Sequence, residues 1–398
     1  MLEKVRVPQV EGNVLYHRIP PKREMQDHTQ NITVGHDIIA DFQSIGKAVD
    51  NAKSGQSILI LPGVYESSDS IYIDKNIKIV GQGNSEDIIV KSHMSTVFVI
   101  TAESAHISNI TVIQETNFDA FGISVDGGSS IISGCNFSSK GLACISITSA
   151  ATPQIRNNRI YEGNDAGILL SGNTAGVIEN NYIERNRYAG IEVKGNSNPL
   201  ITSNKIYDGL EAGLLIHENG TGLITKNDIA RNKLAGIEIR KGGNPRILEN
   251  QIYGGGHTGI FIHSRAVGNI ENNDIFNNKR SGIAIQEFSN PKIKYNTIKS
   301  NGEAGVIISD NAIGTLESNE IISNSFSGVQ ISTGANPSLT SNRISFNLGG
   351  VMINNNGGAT LVNNDLRYNE KGGLYVSEDS QKQTQVSGNI EWSQSSMN

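Results

Sequence analysis

Between about residue 120 and residue 376 the chain repeats itself at close to 23 residues. The marker is a small residue, a glycine and an aliphatic residue: Ala166-Gly167-Ile168, Ala189-Gly190-Ile191, Ala212-Gly213-Leu214 and Ala235-Gly236-Ile237. It continues through Thr258-Gly259-Ile260, Ser281-Gly282-Ile283, Ala304-Gly305-Val306, Ser327-Gly328-Val329, Gly349-Gly350-Val351 and Gly372-Gly373-Leu374. Every step between these glycines is 23 residues except one of 22. A second ladder runs from Asn158 through Asn181, Asn204, Asn227 and Asn250 to Asn364, each followed two places on by an aliphatic residue. A third has twice the period, with Pro153, Pro199, Pro245, Pro291 and Pro337 spaced 46 apart.

Repeats of this length build either a horseshoe containing helices or a coil of short strands. Apolar residues alternate within a unit, as in Gly236-Ile237-Glu238-Ile239-Arg240, which describes a strand with one buried face. Gly and Asn recur too often for a helix of useful length. Three short strands and their turns fill one circuit, so the coils stack as parallel strands. About fourteen coils at ~4.8 Å each give a rod of roughly 65 Å. The Asn ladder is expected to sit in a left-handed or bridge conformation and to hydrogen-bond along the stack, satisfying polar groups at a buried corner. The Gly ladder suits a tight corner, or a strand start with no room for a side chain.

The fold class is therefore all-β, a single-stranded parallel β-helix. Residues 1–34 read as a leader or strap, 35–392 as the solenoid and 393–398 as a tail. An open first coil exposes an unpaired strand edge, and a cap is expected there. Asp41 reads as the N-cap of a helix over 42–53 with Phe42, Ile45, Ala48, Val49 and Ala52 on one face, within a helical cap at 41–54. At the far end the segment 377–385 reads as a loop, and Trp392 as part of an end plug.

The 33 basic and 39 acidic residues are interspersed, leaving a formal charge of -6 and no footprint for nucleic acid. No stretch approaches membrane-spanning length and no secretion signal opens the chain, so a cytoplasmic location is expected. Cys135 and Cys144 read as small buried residues.

The outward face of the strand after each marker Gly carries the candidate site. Residues two and four places after Gly should point out where those one and three places after point in. This puts Glu192, Lys194, His217, Glu238, Arg240, Phe261, His263 and Gln286 on one face, with Glu218 and Arg265 beside the strand ends. Arg240 would grip a carboxylate, and His217, His263 or Glu238 would serve as base. No metal site is expected, because two imidazoles two coils apart cannot share an ion. Leu169, Leu215, Phe261, Ile307 and Met352 fall on alternate coils and read as an exposed apolar stripe through which copies could associate.

Asp41-Phe42, Leu61-Pro62-Gly63-Val64-Tyr65, and Ile77 to Gly81 with Gly83 resemble the N-terminal part of right-handed parallel β-helix proteins of the pectate-lyase-like superfamily. The coils resemble more narrowly the carbohydrate-binding and sugar-hydrolase repeats of certain F-box proteins. The matching segments are Asn198-Pro199, Ile206-Tyr207-Asp208-Gly209, His217-Glu218-Asn219-Gly220, Asn227-Asp228-Ile229-Ala230 and Gly243-Asn244-Pro245. The first resemblance spans about residues 41–390 and the second about 150–375. The second implies a surface that selects protein partners, without the F-box itself, since no such helical segment precedes the coils. The wider superfamily implies lyases, hydrolases and epimerases beside non-catalytic binders. The adjacent Asp pair, Gly-His-Gly and Arg-Ile-Lys of polygalacturonases and the Asp-Pro-His-Glu of alginate epimerases are not present. The sequence reading is a non-catalytic scaffold binding a protein or acidic glycan. The alternatives are a lyase or glycoside hydrolase acting on acidic polysaccharide, and a structural or assembly element. No cofactor is expected, with calcium reserved for the lyase.

Overall fold

The computed structural model describes residues 31–37 and 39–391. The repeat becomes three parallel sheets of 16, 14 and 13 strands, each strand paired with its equivalent one coil away. In the fourteen-stranded sheet Leu214, Leu215 and Ile216 lie beside Ile237, Glu238 and Ile239, which lie beside Ile260, Phe261 and Ile262. The inward residues Ile191, Leu214, Ile237, Ile260 and Ile283 are wholly buried in one continuous aliphatic core.

The Asn ladder carries out the expected polar satisfaction at a slightly different place. The Asn204 backbone N–H donates to Asn227 Oδ1 at 3.0 Å, and Asn227 Nδ2 donates to the Ile201 carbonyl at 2.9 Å. The left-handed residue is the one before each Asn, as at Ser203, Lys226, Glu249 and Tyr295, all with φ between 56° and 57°. Lys226, Glu249 and Tyr295 are poor left-handed residues, so the turn is imposed by the Asn bonds rather than by local preference. A further ladder of the same kind, Asn278, Asn301, Asn324 and Asn347, closes another corner.

The marker glycines are strand starts with no room. A Cβ on Gly213 would stand 2.6 Å from the Gly236 carbonyl oxygen and 2.8 Å from Asn232 Nδ2. The doubled Pro period has a matching cause. Gly176 and Gly222 occupy the alternate coils with φ of 112° and 121°, and a Cβ there would strike the carbonyl oxygens of Pro153 and Pro199.

A helix over Ile45–Asn51 precedes the coils and packs Ile45, Ala48 and Val49 into the core. Its N-cap is Ser44, whose hydroxyl accepts from Lys47 N–H; Asp41, the expected cap, is taken by the backbone and hydroxyl of Thr33. Lys75 Nζ closes the other end by donating to the carbonyls of Val49, Asp50 and Ala52. The expected leader boundary at 34 also shifts, because Ile32–Val34 already forms the first strand of the sixteen-stranded sheet. The rest of the leader, residues 1–30, lies outside the described residues, as do Trp392 and the tail. The segment expected as a loop at 377–385 contains a short 3-10 turn over Glu378–Gln383 and the start of a strand over Thr384–Ser387.

Candidate functional site

Five successive strands, Ile191–Val193, Leu214–Ile216, Ile237–Ile239, Ile260–Ile262 and Ile283–Ile285, hold the candidate face. Lys194, His217, Arg240, His263 and Gln286 each follow a strand directly. Their backbone N–H groups still donate to carbonyls one coil back, at 2.8 to 3.0 Å, so all five remain part of the ladder. Successive coils are ~4.8 Å apart, which places His217 and His263 about 10 Å apart with Arg240 between them.

The side chains form two linked Glu–His pairs. His217 Nε2 lies 2.8 Å from Glu192 Oε1, and Lys194 Nζ reaches the same oxygen at 3.1 Å. His263 Nε2 lies 3.2 Å from Glu238 Oε1, which Arg240 Nη1 also contacts at 3.2 Å. Arg240 Nη2 donates to the Tyr188 hydroxyl at 3.2 Å. Glu218 sits 3.3 Å from His217 Nδ1. His263 stacks on Phe261 at 4.3 Å between ring centres, and its Nδ1 lies 3.0 Å from Ser264 Oγ, which donates to Glu287 Oε2. Arg265 reaches over Phe288 with 5.9 Å between guanidinium and ring centre. Gln286 sits in register beside this cluster, one coil beyond His263.

Burial works to raise the Glu192 and Glu238 carboxyls, but the imidazole hydrogen bonds and the neighbouring Lys194 and Arg240 charges outweigh it and hold both below the ordinary value. Both are therefore carboxylates near neutrality. Asp165 moves the other way, pushed up by burial and by the Glu192 charge. The Tyr188 phenol is likewise pushed up, by burial first and Glu192 second, with Arg240 pulling against them. His257 is pushed down by burial and Arg280. The period-two pattern missed Asp165, Tyr188 and His257 because they sit two places before the marker Gly, in a turn where alternation does not fix direction. Their shared offset was the available signal.

Arg240 pairs with Glu238 of its own coil. One expectation is corrected. The apolar stripe is not open, since Leu215 is only 2% exposed and Leu169, Phe261, Ile307 and Met352 are half-buried. Leu215 lies in register between Glu192 and Glu238. Cys135 and Cys144 are buried free thiols pushed up to about 12, consistent with a packing role. Among the described residues no three His, Cys, Asp or Glu side chains are grouped so as to hold a metal ion. Nor is any described helix long and apolar enough to cross a membrane.

A family described as the right handed beta helix region matches residues 93–244, 201–334 and 281–390. The chain belongs to the right-handed β-helix family. This β-helix is similar to the A-module of a mannuronan C-5 epimerase from Azotobacter vinelandii. The two are 16% identical with a TM-score of 0.51, over 86% of this chain and 92% of the other. It is similar to a periplasmic alginate epimerase at 15% identity and a TM-score of 0.53, covering 84% of each chain. An α-1,3-glucanase catalytic unit from Streptomyces thermodiastaticus matches at 17% identity and a TM-score of 0.52, over 87% of this chain and 65% of that one. Such identities establish a fold shared with carbohydrate-active enzymes and leave the chemistry to the residues.

Proposed function

We propose that the face around Arg240 binds an acidic polysaccharide and moves a proton at the carbon beside a uronate carboxylate, as a lyase or an epimerase does. The arrangement of Arg240 carries this reading. Its guanidinium lies between two carboxylate-held imidazoles and donates to the Tyr188 hydroxyl. Removing that proton builds negative charge on the carboxylate, and a fixed guanidinium beside it stabilises the charge as it develops. Glu192 holds the Nε2 side of buried His217 and Glu218 lies 3.3 Å from its Nδ1, so the group placed to accept the proton is Glu238, the more exposed carboxylate beside Arg240. Tyr188, held protonated by burial, accepts from the same guanidinium and keeps its own O–H as a donor. The similarity to epimerases of uronate polymers supports the substrate class.

Asp165 favours a second reading, a glycoside hydrolase. It is the one carboxyl of the cluster pushed up while Glu192 is held down, and such a split assigns an acid and a base. The likeness to repeats of F-box proteins supports the recognition scaffold, which binds without turnover.

The protein is incubated with pectate, alginate and neutral glucans, with and without added calcium, and products are followed by proton NMR. Unsaturated ends or inverted uronates that vanish in Arg240→Ala establish proton transfer. Saturated reducing ends that vanish in Asp165→Asn establish hydrolysis instead. Binding with no product leaves the scaffold, and neither binding nor product on any glycan overturns the carbohydrate reading.

A further inference from the structure

The corner that follows the site strands places two successive residues in the left-handed region on coil after coil. Its second position reads Ala150, Asn173, Asn196, Asn219, Gly242, Arg265, Phe288, Asn311, Gly334 and Asn356, with φ between 56° and 77° throughout. Asn and Gly tolerate that conformation; a bulky side chain there is an outlier that costs of order 1 kcal/mol or more. Apart from the small Ala150, Arg265 and Phe288 are the exceptions in this column, on adjacent coils. Arg265 directly follows the Ser264 that contacts His263.

The two side chains are not tucked away to repay the strain. Phe288 is 59% exposed and Arg265 is exposed beside it. With Ser264 and Glu287 they line an open concavity of about 360 Å³. Ser264 and Glu287 are tied to each other at 2.7 Å, which leaves the Phe288 ring and the Arg265 guanidinium as the groups facing solvent. An aromatic face receives the C–H side of a sugar ring, and a guanidinium beside it receives a carboxylate.

We propose that Arg265 and Phe288 form a second uronate subsite, holding the unit next to the one seated at Arg240. The inference rests on the acidic-glycan reading above. From Tyr188 through Arg240 and His263 to Arg265 the contacts advance along the strand direction as well as up the coils. The bound glycan therefore crosses the rod obliquely instead of following its axis. Phe288 sets the stacking and Arg265 the requirement for a carboxylate.

The column supplies its own control, because Asn is the ordinary occupant. Arg265→Asn and Phe288→Asn should leave the melting temperature unchanged or higher, so loss of binding cannot be ascribed to misfolding. Affinities are measured for the full chain against oligogalacturonates and alginate oligomers of two to six units, and against their methyl esters. Both variants should weaken oligomers of two or more units by about tenfold. Arg265→Asn should have no effect on the esters, while Phe288→Asn should weaken acids and esters alike. Unchanged affinity in both variants, with wild type binding normally, overturns this subsite and leaves the Arg240 reading intact. Failure of wild type to bind any acidic oligomer overturns both. A lowered melting temperature would show that Arg265 and Phe288 are structural and would also count against the subsite.

Discussion

His217 Nε2 lies 2.8 Å from Glu192 Oε1 with both side chains buried, and Lys194 Nζ lies 3.1 Å from the same oxygen. The bonds hold the Glu192 carboxyl below its ordinary value despite burial. A carboxyl depressed in the folded state stabilises the protein above its unfolded pKa, and that stabilisation is lost as pH falls through the folded value. Stability should therefore drop below about pH 4.5. Glu192→Gln should lose about 2 kcal/mol at pH 7 and show a shallower acid slope, read from urea unfolding at stepped pH.

Asn227→Ala removes the acceptor of the Asn204 backbone N–H and the donor to the Ile201 carbonyl, both buried. Leaving them unpaired should cost about 3 kcal/mol in chemical denaturation. Tyr295→Asn, at a left-handed position one residue before a ladder Asn, should instead gain about 1 kcal/mol.

Gly236→Ala would bring a Cβ to 2.5 Å from Ile252 Cγ2 and 2.8 Å from the Gly259 carbonyl oxygen. A loss of about 3 kcal/mol is expected, because backbone one coil away cannot retreat without breaking the ladder. Gly46→Ala lies in the capping helix with its nearest neighbour at 3.8 Å, and should gain up to about 1 kcal/mol. Thermal unfolding of both variants checks the contrast.

Much of this architecture was legible because the repeat interval is also the pairing interval. Ile237 and Ile260 are 23 apart and are direct neighbours in the sheet. Period-two alternation then assigned Glu192, Glu238, Lys194, His217, Arg240 and His263 to one face. What it could not read was the turn geometry. The left-handed residue precedes the ladder Asn because the side-chain bonds of the Asn, not its own dihedral, define the corner. Tyr188 and Asp165 were missed for the same reason, since a turn has no fixed inside and outside. Leu215 was misjudged because alternation gives a side chain's direction, whereas its exposure is set by its neighbours across the sheet, a tertiary fact.

Tyr188→Phe removes the hydroxyl that Arg240 Nη2 meets at 3.2 Å and keeps the ring. If that phenol donates the proton, kcat on uronate polymers should fall by about a hundredfold or more with KM little changed. A rise in KM alone would reassign Tyr188 to positioning.

The most direct measurement is the fate of the uronate C5 proton when the protein turns over acidic polysaccharide in deuterium oxide. The expected result is loss of the C5 proton signal, as solvent deuterium enters or an unsaturated end forms, with neither seen in Arg240→Ala. Polymer bound at the Arg240 face with its C5 proton fully retained would contradict proton transfer at this site.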